Sequence, residues 1–151
     1  MKLSKSLYTR AIQCQKSLWL KKHNKDVLTP PNAAAQAIFE NGNEVGDLAC
    51  KLFPNGVEIP YLNTTFQDKI NLTQEYINQG IQNIYEATFE FDGILIMIDI
   101  LNIKDNSVII NEVKSSTQVK DIYLHDASIQ YYVLNGLGYD VKKVNIIHIN
   151  N

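Results

Sequence analysis

The alternation of apolar and polar residues between positions 94 and 114 predicts a β-hairpin. This stretch reads ILIMIDILNIKDNSVIINEVK, in which two aliphatic runs flank a polar turn at 104–107. Runs of β-branched residues bounded by turn residues are typical of strands. If the turn is centred on Asp105 and Asn106, Ile103 pairs with Val108 in an antiparallel register.

The same periodicities divide the rest of the chain into helices and further strands. Ser, Thr and Asn residues stand where helix caps are expected, and Pro or Gly follows where helices should end. The predicted helices run from Ser4 or Ser6 to about His23, from Ala33 (capped by Asn32) to about Phe53, from Thr64 or Thr65 to Gln79, and from Val119 to Leu137. The predicted strands are a short one at 57–60, Ile84–Phe91, 94–103, 108–114 and Val141–Ile149.

This order predicts an α/β fold with a central mixed four-stranded sheet flanked by helices. The first three main strands form an antiparallel meander, and the helix after them allows the last strand to lie parallel to the third. We expect one domain over 1–151, with a basic N-terminal helix and linker at 1–31 and the core at 32–151. Because the chain stops directly after an apolar strand, we also expect a fragment, or a compact relative of a longer architecture.

Composition narrows the class of protein but not its activity. The 151 residues are 45% apolar and 20% charged, which is ordinary for a globular domain. The sequence contains no apolar run near the roughly 20 residues that span a bilayer, and no secretory signal. Two cysteines, Cys14 and Cys50, do not make a disulfide framework, so a reducing cytoplasm is expected.

Charge is distributed unevenly although the net charge is only −2. Residues 1–25 hold seven basic residues and no acid, whereas residues 26–105 hold twelve acids and three lysines. One interpretation is that Lys16, Lys21 and Lys22 contact nucleic-acid phosphates beside a metal site. The other is that they form an ordinary solvated face of a helix.

The hairpin carries acids where apolar residues would be expected. In the predicted register Asp99 lies opposite Glu112, and Lys114 shares a strand face with Glu112. Opposite Cβ atoms are about 4.5–5.5 Å apart, so two carboxylates would repel each other among aliphatic neighbours. A positive group must lie between them, and a divalent metal with Lys114 beside it is the simplest candidate.

Asp99, then Glu112-Val113-Lys114, on a hairpin followed by a helix with Gln130, resembles the PD-(D/E)XK nuclease superfamily. The chain is more similar to the RecB-like branch, which includes the CRISPR-associated exonucleases and uncharacterised bacterial relatives. The resemblance extends to GNEVG at 42–46, to SKS at 4–6 with QCQKSLWL at 13–20, and to the phrases IYEATFEFDG, NEVKSSTQVKD and DASIQYYVL. It implies a restriction-endonuclease-like αβββαβ core with extra N-terminal helices.

The resemblance also implies roles for individual residues. The catalytic set would be Asp99, Glu112 and Lys114, on Mg²⁺ or Mn²⁺, with Glu44 as a further metal ligand. The Val113 carbonyl would complete an oxygen-rich site. Several relatives hold an iron–sulfur cluster, but only Cys14 of its four cysteines has a counterpart here, so no cluster is expected within this chain.

Two further residues are candidates with an alternative interpretation. Gln130 would bind substrate or a metal-bound carboxylate, or would simply be a buried amide. Glu86 would support the site from the neighbouring strand, or would make a cross-strand ion pair.

The leading hypothesis is therefore a metal-dependent nuclease that hydrolyses phosphodiester bonds, in DNA. An alternative of another class is a catalytically weak or inactive nucleic-acid-binding or assembly module that retains the fold. A third is a structural protein-interaction domain, which predicts no nucleic-acid binding at low salt.

Overall fold

The computed structural model describes residues 3–105 and 107–150, and in them six strands form one open, mixed sheet flanked by helices. The sheet order is β2-β3-β4-β5-β6, and β1 pairs with β4 in parallel. Strands β3, β4 and β5 are antiparallel, whereas β6 runs parallel to β5. The predicted meander and parallel last strand are confirmed. The predicted four-stranded sheet is extended by the two-residue strands β1 and β2. The strands are β1 (Leu3–Ser4), β2 (Val57–Glu58), β3 (Asn83–Phe91), β4 (Ile94–Lys104), β5 (Ser107–Lys114) and β6 (Asp140–His148).

The hairpin register follows the sequence prediction. Ile103 pairs with Val108, and the pairing continues to Ile100 with Asn111. Asn106, one of the two predicted turn-centre residues, lies outside the described residues. The backbone pairing of β4 with β5 ends at this pair, and Asp99 and Glu112 are the next residues of the two strands beyond it.

Five α-helices in the described residues cover the sheet or extend from it. Their bounds are α1 (Lys5–Gln13), α2 (Gln15–His23), α3 (Ala33–Cys50), α4 (Phe66–Asn78) and α5 (Asp121–Gly136). A 3₁₀ turn at Lys25–Val27 lies in the predicted linker. Among the described residues, no helix combines the length and apolar character needed to cross a membrane.

The predicted cap residues begin three of these helices. The Ser4 hydroxyl accepts a hydrogen bond from the Leu7 amide, and the Asn32 side chain accepts one from Ala35. Thr65, rather than Thr64, caps α4 in a reciprocal box with Asp68. Each cap satisfies amides that would otherwise lack a partner in the first helical turn.

The prediction of one helix from Ser4 or Ser6 to His23 is wrong. The helix is interrupted at Cys14, whose φ of −164° and ψ of 108° are those of extended backbone. Arg10 donates a 2.7 Å hydrogen bond to the Ser17 hydroxyl across this break, which ties α1 to α2. Predicted ends elsewhere are shifted by a few residues, since α3 ends at Cys50 and α5 begins at Asp121.

The core lies between the sheet and the helices α4 and α5. Its buried members are mainly aliphatic side chains of β3, β4 and β5, joined by side chains of α5. They are Ile59, Ile84, Ala87, Phe89, Ile96, Ile98, Leu101, Val108, Ile110, Val133 and Leu134. This packing makes the central strands a fixed support for the polar residues that they carry.

Candidate functional site

The carboxylates of Asp99 and Glu112 lie on one face of the sheet, because both approach the same ammonium group, that of Lys5. Asp99 follows Ile98 and precedes Ile100, which are both fully buried. Its Oδ2 accepts a 2.7 Å hydrogen bond from the Val113 amide. Glu112 is buried, with a side chain 2% exposed. The predicted juxtaposition of the two acids is therefore present.

Lys5 provides the positive charge between them. Its Nζ lies 3.0 and 2.8 Å from the two carboxylate oxygens of Glu112 and 4.0 Å from Asp99 Oδ1. Lys5 is the first residue of α1 and directly follows β1, which pairs with β4 at Ile94 and Leu95. The short strand and the Ser4 cap thus deliver the ammonium group to the acids.

Lys114 forms the second ion-pair centre, and one of its partners, Asp126, lies outside the predicted site. Its Nζ lies 2.5 Å from Glu112 Oε1 and 2.6 Å from Asp126 Oδ2. Asp126 belongs to the buried face of α5, and its Oδ1 lies 3.8 Å from Lys5 Nζ. The Tyr123 ring lies 5.3 Å from the Lys114 ammonium, within cation–π distance.

Gln130 completes the contacts of Glu112. It is fully buried, and its Nε2 donates 2.7 Å to Glu112 Oε2 and 3.2 Å to the Asp126 carbonyl. Gln130 Oε1 and Asp126 Oδ1 are the two buried side-chain oxygens in the described part of the chain that have no hydrogen-bond partner. Such unsatisfied buried atoms are uncommon in folded proteins, and here both belong to the cluster of Lys5, Lys114 and the acids.

The pKa values of the two acids of the hairpin are shifted in opposite directions. Burial alone would raise the pKa of Glu112, but Lys5 and then Lys114 outweigh it and lower this pKa to about 2. Burial, and then the charge of Glu112, raise the pKa of Asp99 to about 7, because Lys5 and the Val113 amide compensate only in part. Glu112 is thus an anion over the whole physiological range, whereas Asp99 exchanges a proton near neutrality.

The pKa values of the other charged groups in the cluster are shifted by the same contacts. Burial would lower the pKa of Lys5 and of Lys114, but their carboxylate neighbours outweigh it and raise both. Burial raises the pKa of Asp126, and Glu112 adds to this effect while Lys5 and Lys114 oppose it. Both lysines therefore remain cations among acids of which only Glu112 is strongly stabilised as an anion.

Glu86 extends the row of acids to a third strand. It lies between the pairs Tyr85–Ile100 and Ala87–Ile98, beside Asp99. Its φ of 56° is in the left-handed region, which is rare for a glutamate within a strand and interrupts the pairing at this point. Burial raises the pKa of its carboxyl, and Lys5 opposes this. The backbone irregularity therefore coincides with the candidate site.

A cavity of about 370 Å³ opens beside Asp99. The sheet contributes Glu58, Tyr85, Glu86, Asp99, Ile100 and Val113 to its lining, and α3 contributes Gly42, Asn43, Gly46, Asp47 and Cys50. Burial, and then Asp47, raise the pKa of the Cys50 thiol. The cavity is acidic on both sides, because the sheet contributes Glu58, Glu86 and Asp99 and the helix α3 contributes Asp47.

Glu44, the predicted additional metal ligand, is exposed on α3 and is not among the residues that line this cavity. Asp47, three positions later, lies on the lining face of the helix. Gly42 and Gly46, the glycines of the GNEVG segment, are not required by close packing, because a Cβ at either position would meet nothing within 4 Å. These glycines instead widen the cavity.

The lysines predicted to contact phosphates belong to α2, whereas the cluster is built on α1, β4, β5 and α5. Lys16 and Lys21 are exposed, and Lys22 is partly buried. The helix α2 packs against α1 and against the 3₁₀ turn. Their role in contacting nucleic-acid phosphates stays a prediction.

Lys5 and Asp126 are the members of the cluster that sequence reasoning missed. Asp126 stands four positions before Gln130 on the same helix, so helical spacing alone would place both side chains on one face. Nothing comparable exists for Lys5, since its position depends on β1 pairing with a strand about ninety residues later.

A divalent cation fits this cluster in chemistry but not in the present geometry. Carboxylate oxygens suit Mg²⁺ or Mn²⁺, and one of them in this cluster, Asp126 Oδ1, is buried without a hydrogen-bond partner, as is the amide oxygen of Gln130. Within residues 3–105 and 107–150, however, no three acidic, histidine or cysteine side chains are arranged to hold a metal ion. The Lys5 ammonium stands where such an ion would be expected.

Comparisons of the chain with protein-family models, with curated proteins and with solved structures found no match. The resemblance to the nuclease superfamily therefore depends on the motifs of the sequence alone.

Proposed function

We propose that this protein is a metal-dependent nuclease that hydrolyses phosphodiester bonds in DNA. The observation that supports this best is the position of Lys114. Its ammonium is held at 2.5 and 2.6 Å by two buried carboxylates, close to a row of acids from three adjacent strands. A fixed cation next to clustered acids suits hydrolysis of a phosphodiester, because negative charge develops on the phosphate in the transition state and a nearby cation offsets it.

Each residue of the cluster would contribute to one step. Glu112 and Asp99 would hold Mg²⁺ or Mn²⁺, with the Val113 carbonyl as a further oxygen donor. When bound, the metal would supply Lewis acidity and a bound water of lowered pKa. Lys114 would orient the attacking water and offset the developing negative charge. Asp126 and Gln130 would keep Lys114 and Glu112 in position, and Glu86 would add negative charge behind Asp99.

The test is cleavage of end-labelled single-stranded DNA, duplex DNA and RNA by the purified protein with Mn²⁺. Lys114→Met should lower the rate about 10²–10³-fold, as loss of a charge-stabilising donor does in other enzymes. Lys104→Met, which removes an exposed lysine at the end of β4, is the matched control and should cleave as the wild type does. If cleavage survives in both Lys114→Met and Asp99→Asn, the activity comes from another site or a contaminant and the proposal fails.

One observation favours the alternative of a binding module without catalysis. The acids of the cluster are already neutralised in part by Lys5 and Lys114, without a metal-ligand trio in the described residues. A module of this kind would bind DNA through exposed lysines such as Lys16 and Lys21, and affinity would fall as salt rises. In that case Lys16→Ala and Lys21→Ala would weaken binding, while Lys114→Met would leave it unchanged and no variant would cleave.

A further inference from the structure

One atom of the protein marks the point where three carboxylates meet. Lys5 Nζ is within 4.0 Å of Glu112 at 2.8 Å, of Asp126 at 3.8 Å and of Asp99 at 4.0 Å. These acids come from β5, α5 and β4, so three separate elements converge there. The separations of Lys5 Nζ from Asp126 and Asp99 are ion-pair distances, longer than a hydrogen bond. Metal–oxygen bonds of Mg²⁺ and Ca²⁺ are shorter, about 2.0–2.6 Å.

Lys5 satisfies this point incompletely. An ammonium group has three donors, and Lys5 directs two hydrogen bonds to Glu112 alone. Asp126 is only 6% exposed, and its Oδ1, which faces Lys5, has no hydrogen-bond partner. Two of the three carboxylates therefore contact the cation only through longer-range attraction.

A divalent cation would satisfy all three acids together. Such ions take six or more oxygen ligands, whereas an ammonium group makes at most three hydrogen bonds. It would also replace the single positive charge of Lys5 by a double one, so that the three acids would face the ion and Lys114. The acids would have to close by about 1–2 Å to reach ligation distance, and this is possible only if Lys5 leaves.

Lys5 has a route by which to leave. Its side chain is 19% exposed, and it extends from the first residue of α1 on four methylene groups. A change of rotamers would carry the ammonium to water without moving the strands, since long lysine side chains readily place their charge at the surface.

We propose that the Lys5 ammonium and a divalent cation are alternative occupants of the point where Asp99, Glu112 and Asp126 meet. This inference rests on the proposed function for the identity of the cation. In the metal-free protein Lys5 is the counter-ion that allows the acids to pack together. Binding of the cation expels Lys5 and makes Asp126 a ligand beside the two acids of the hairpin.

The experiment measures whether Lys5 is released. The full chain is exposed briefly to an amine-acylating reagent with EDTA, with Mg²⁺ alone and with Mn²⁺ alone, and modification of each lysine is quantified by mass spectrometry. Lys104, which is exposed, is the internal control. Saturating Mn²⁺ should raise modification of Lys5 by roughly tenfold or more, because labelling follows the population in which a protected group is open. Lys104 and Lys114 should be unchanged.

A second measurement keeps the inference testable if labelling is slow. Lys5→Met keeps the length of the side chain and removes the charge, and binding of Mn²⁺ is followed by electron paramagnetic resonance. The variant should bind Mn²⁺ more tightly than the wild type, and Mn²⁺ should raise its melting temperature further. Asp126→Asn in the same background should weaken Mn²⁺ binding.

The outcomes separate this inference from the proposed function. Mn²⁺ binding that leaves Lys5 protected, or that is equally tight in the wild type and Lys5→Met, overturns the exchange even if DNA is cleaved. Absence of Mn²⁺ binding in both proteins also overturns it. Release of Lys5 by Mn²⁺ without cleavage of any nucleic acid supports the exchange and rejects the nuclease.

Discussion

The stability of Asp99→Asn relative to that of the wild type should increase as pH rises. Burial and Glu112 raise the pKa of Asp99 to about 7, above the value of roughly 3.9 of an unfolded aspartate. Between these values the folded protein holds a proton that the unfolded chain has released. The stability that this group contributes is therefore fully present below about pH 4 and is lost as pH rises through about 7.

The magnitude follows from the width of that window. Each pKa unit corresponds to about 1.4 kcal/mol, so the wild type would lose at most about 3 kcal/mol from this group between about pH 5 and pH 8. The side chain is 27% exposed and shares its interactions with Glu112 and Lys5, so about 1–2 kcal/mol is a reasonable expectation. Asparagine stays neutral, and its side-chain oxygen can still accept the hydrogen bond from Val113.

The assay is urea denaturation of the wild type and of Asp99→Asn at about pH 5 and about pH 8, with EDTA present to exclude divalent cations. Asp105→Asn is the matched control. It makes the same chemical change at an exposed turn residue whose φ of 49° asparagine tolerates. The advantage of Asp99→Asn over the wild type should grow with pH by about 1–2 kcal/mol, and that of Asp105→Asn should not.

Two results would refute the reasoning. If the difference between wild type and Asp99→Asn is the same at both pH values, Asp99 has an ordinary pKa and is not constrained by the cluster. If the variant loses stability as pH rises, then Asp99 acts mainly as an anion that Lys5 requires.

The other predictions concern two helical glycines and the buried amide of Gln130. Gly46→Ala should stabilise the protein by about 0.5–1 kcal/mol, because the added methyl meets nothing within 4 Å and alanine favours the helix. Gly136→Ala, its counterpart on α5, should destabilise by about 1–3 kcal/mol, because the new Cβ would lie 2.2 Å from the Phe91 ring. Urea titrations measure both, and a loss of stability in Gly46→Ala would contradict the open space. Gln130→Leu should cost about 1–3 kcal/mol, since it removes the 2.7 Å hydrogen bond to the Glu112 carboxylate; unchanged stability would mean that this bond contributes nothing.

The hairpin could be predicted because its information is local. Two-residue alternation fixes which side chains share a face, and a short turn fixes the register, so the pairing of Ile103 with Val108 followed from the sequence. The caps at Asn32 and Thr65 were predictable for the same reason, because the interactions that define them span three residues.

The cluster could be predicted only as far as the hairpin extends. The sequence indicated that a positive group must separate Asp99 from Glu112, and the structure has one there, but it is a lysine of the chain. No local pattern connects Lys5 with these acids. The break of the first helix at Cys14 was missed as well, because the apolar spacing continues across it while the backbone does not.

The contact between Lys5 and Glu112 spans 107 positions of the chain, and this has a consequence for biosynthesis. The ribosome makes the lysine first, so its ammonium must wait in water until the hairpin and then α5 have emerged. The helix α1 consequently gains its shortest ion pair only after Glu112 has been made, so it cannot reach its final contacts until most of the polypeptide exists.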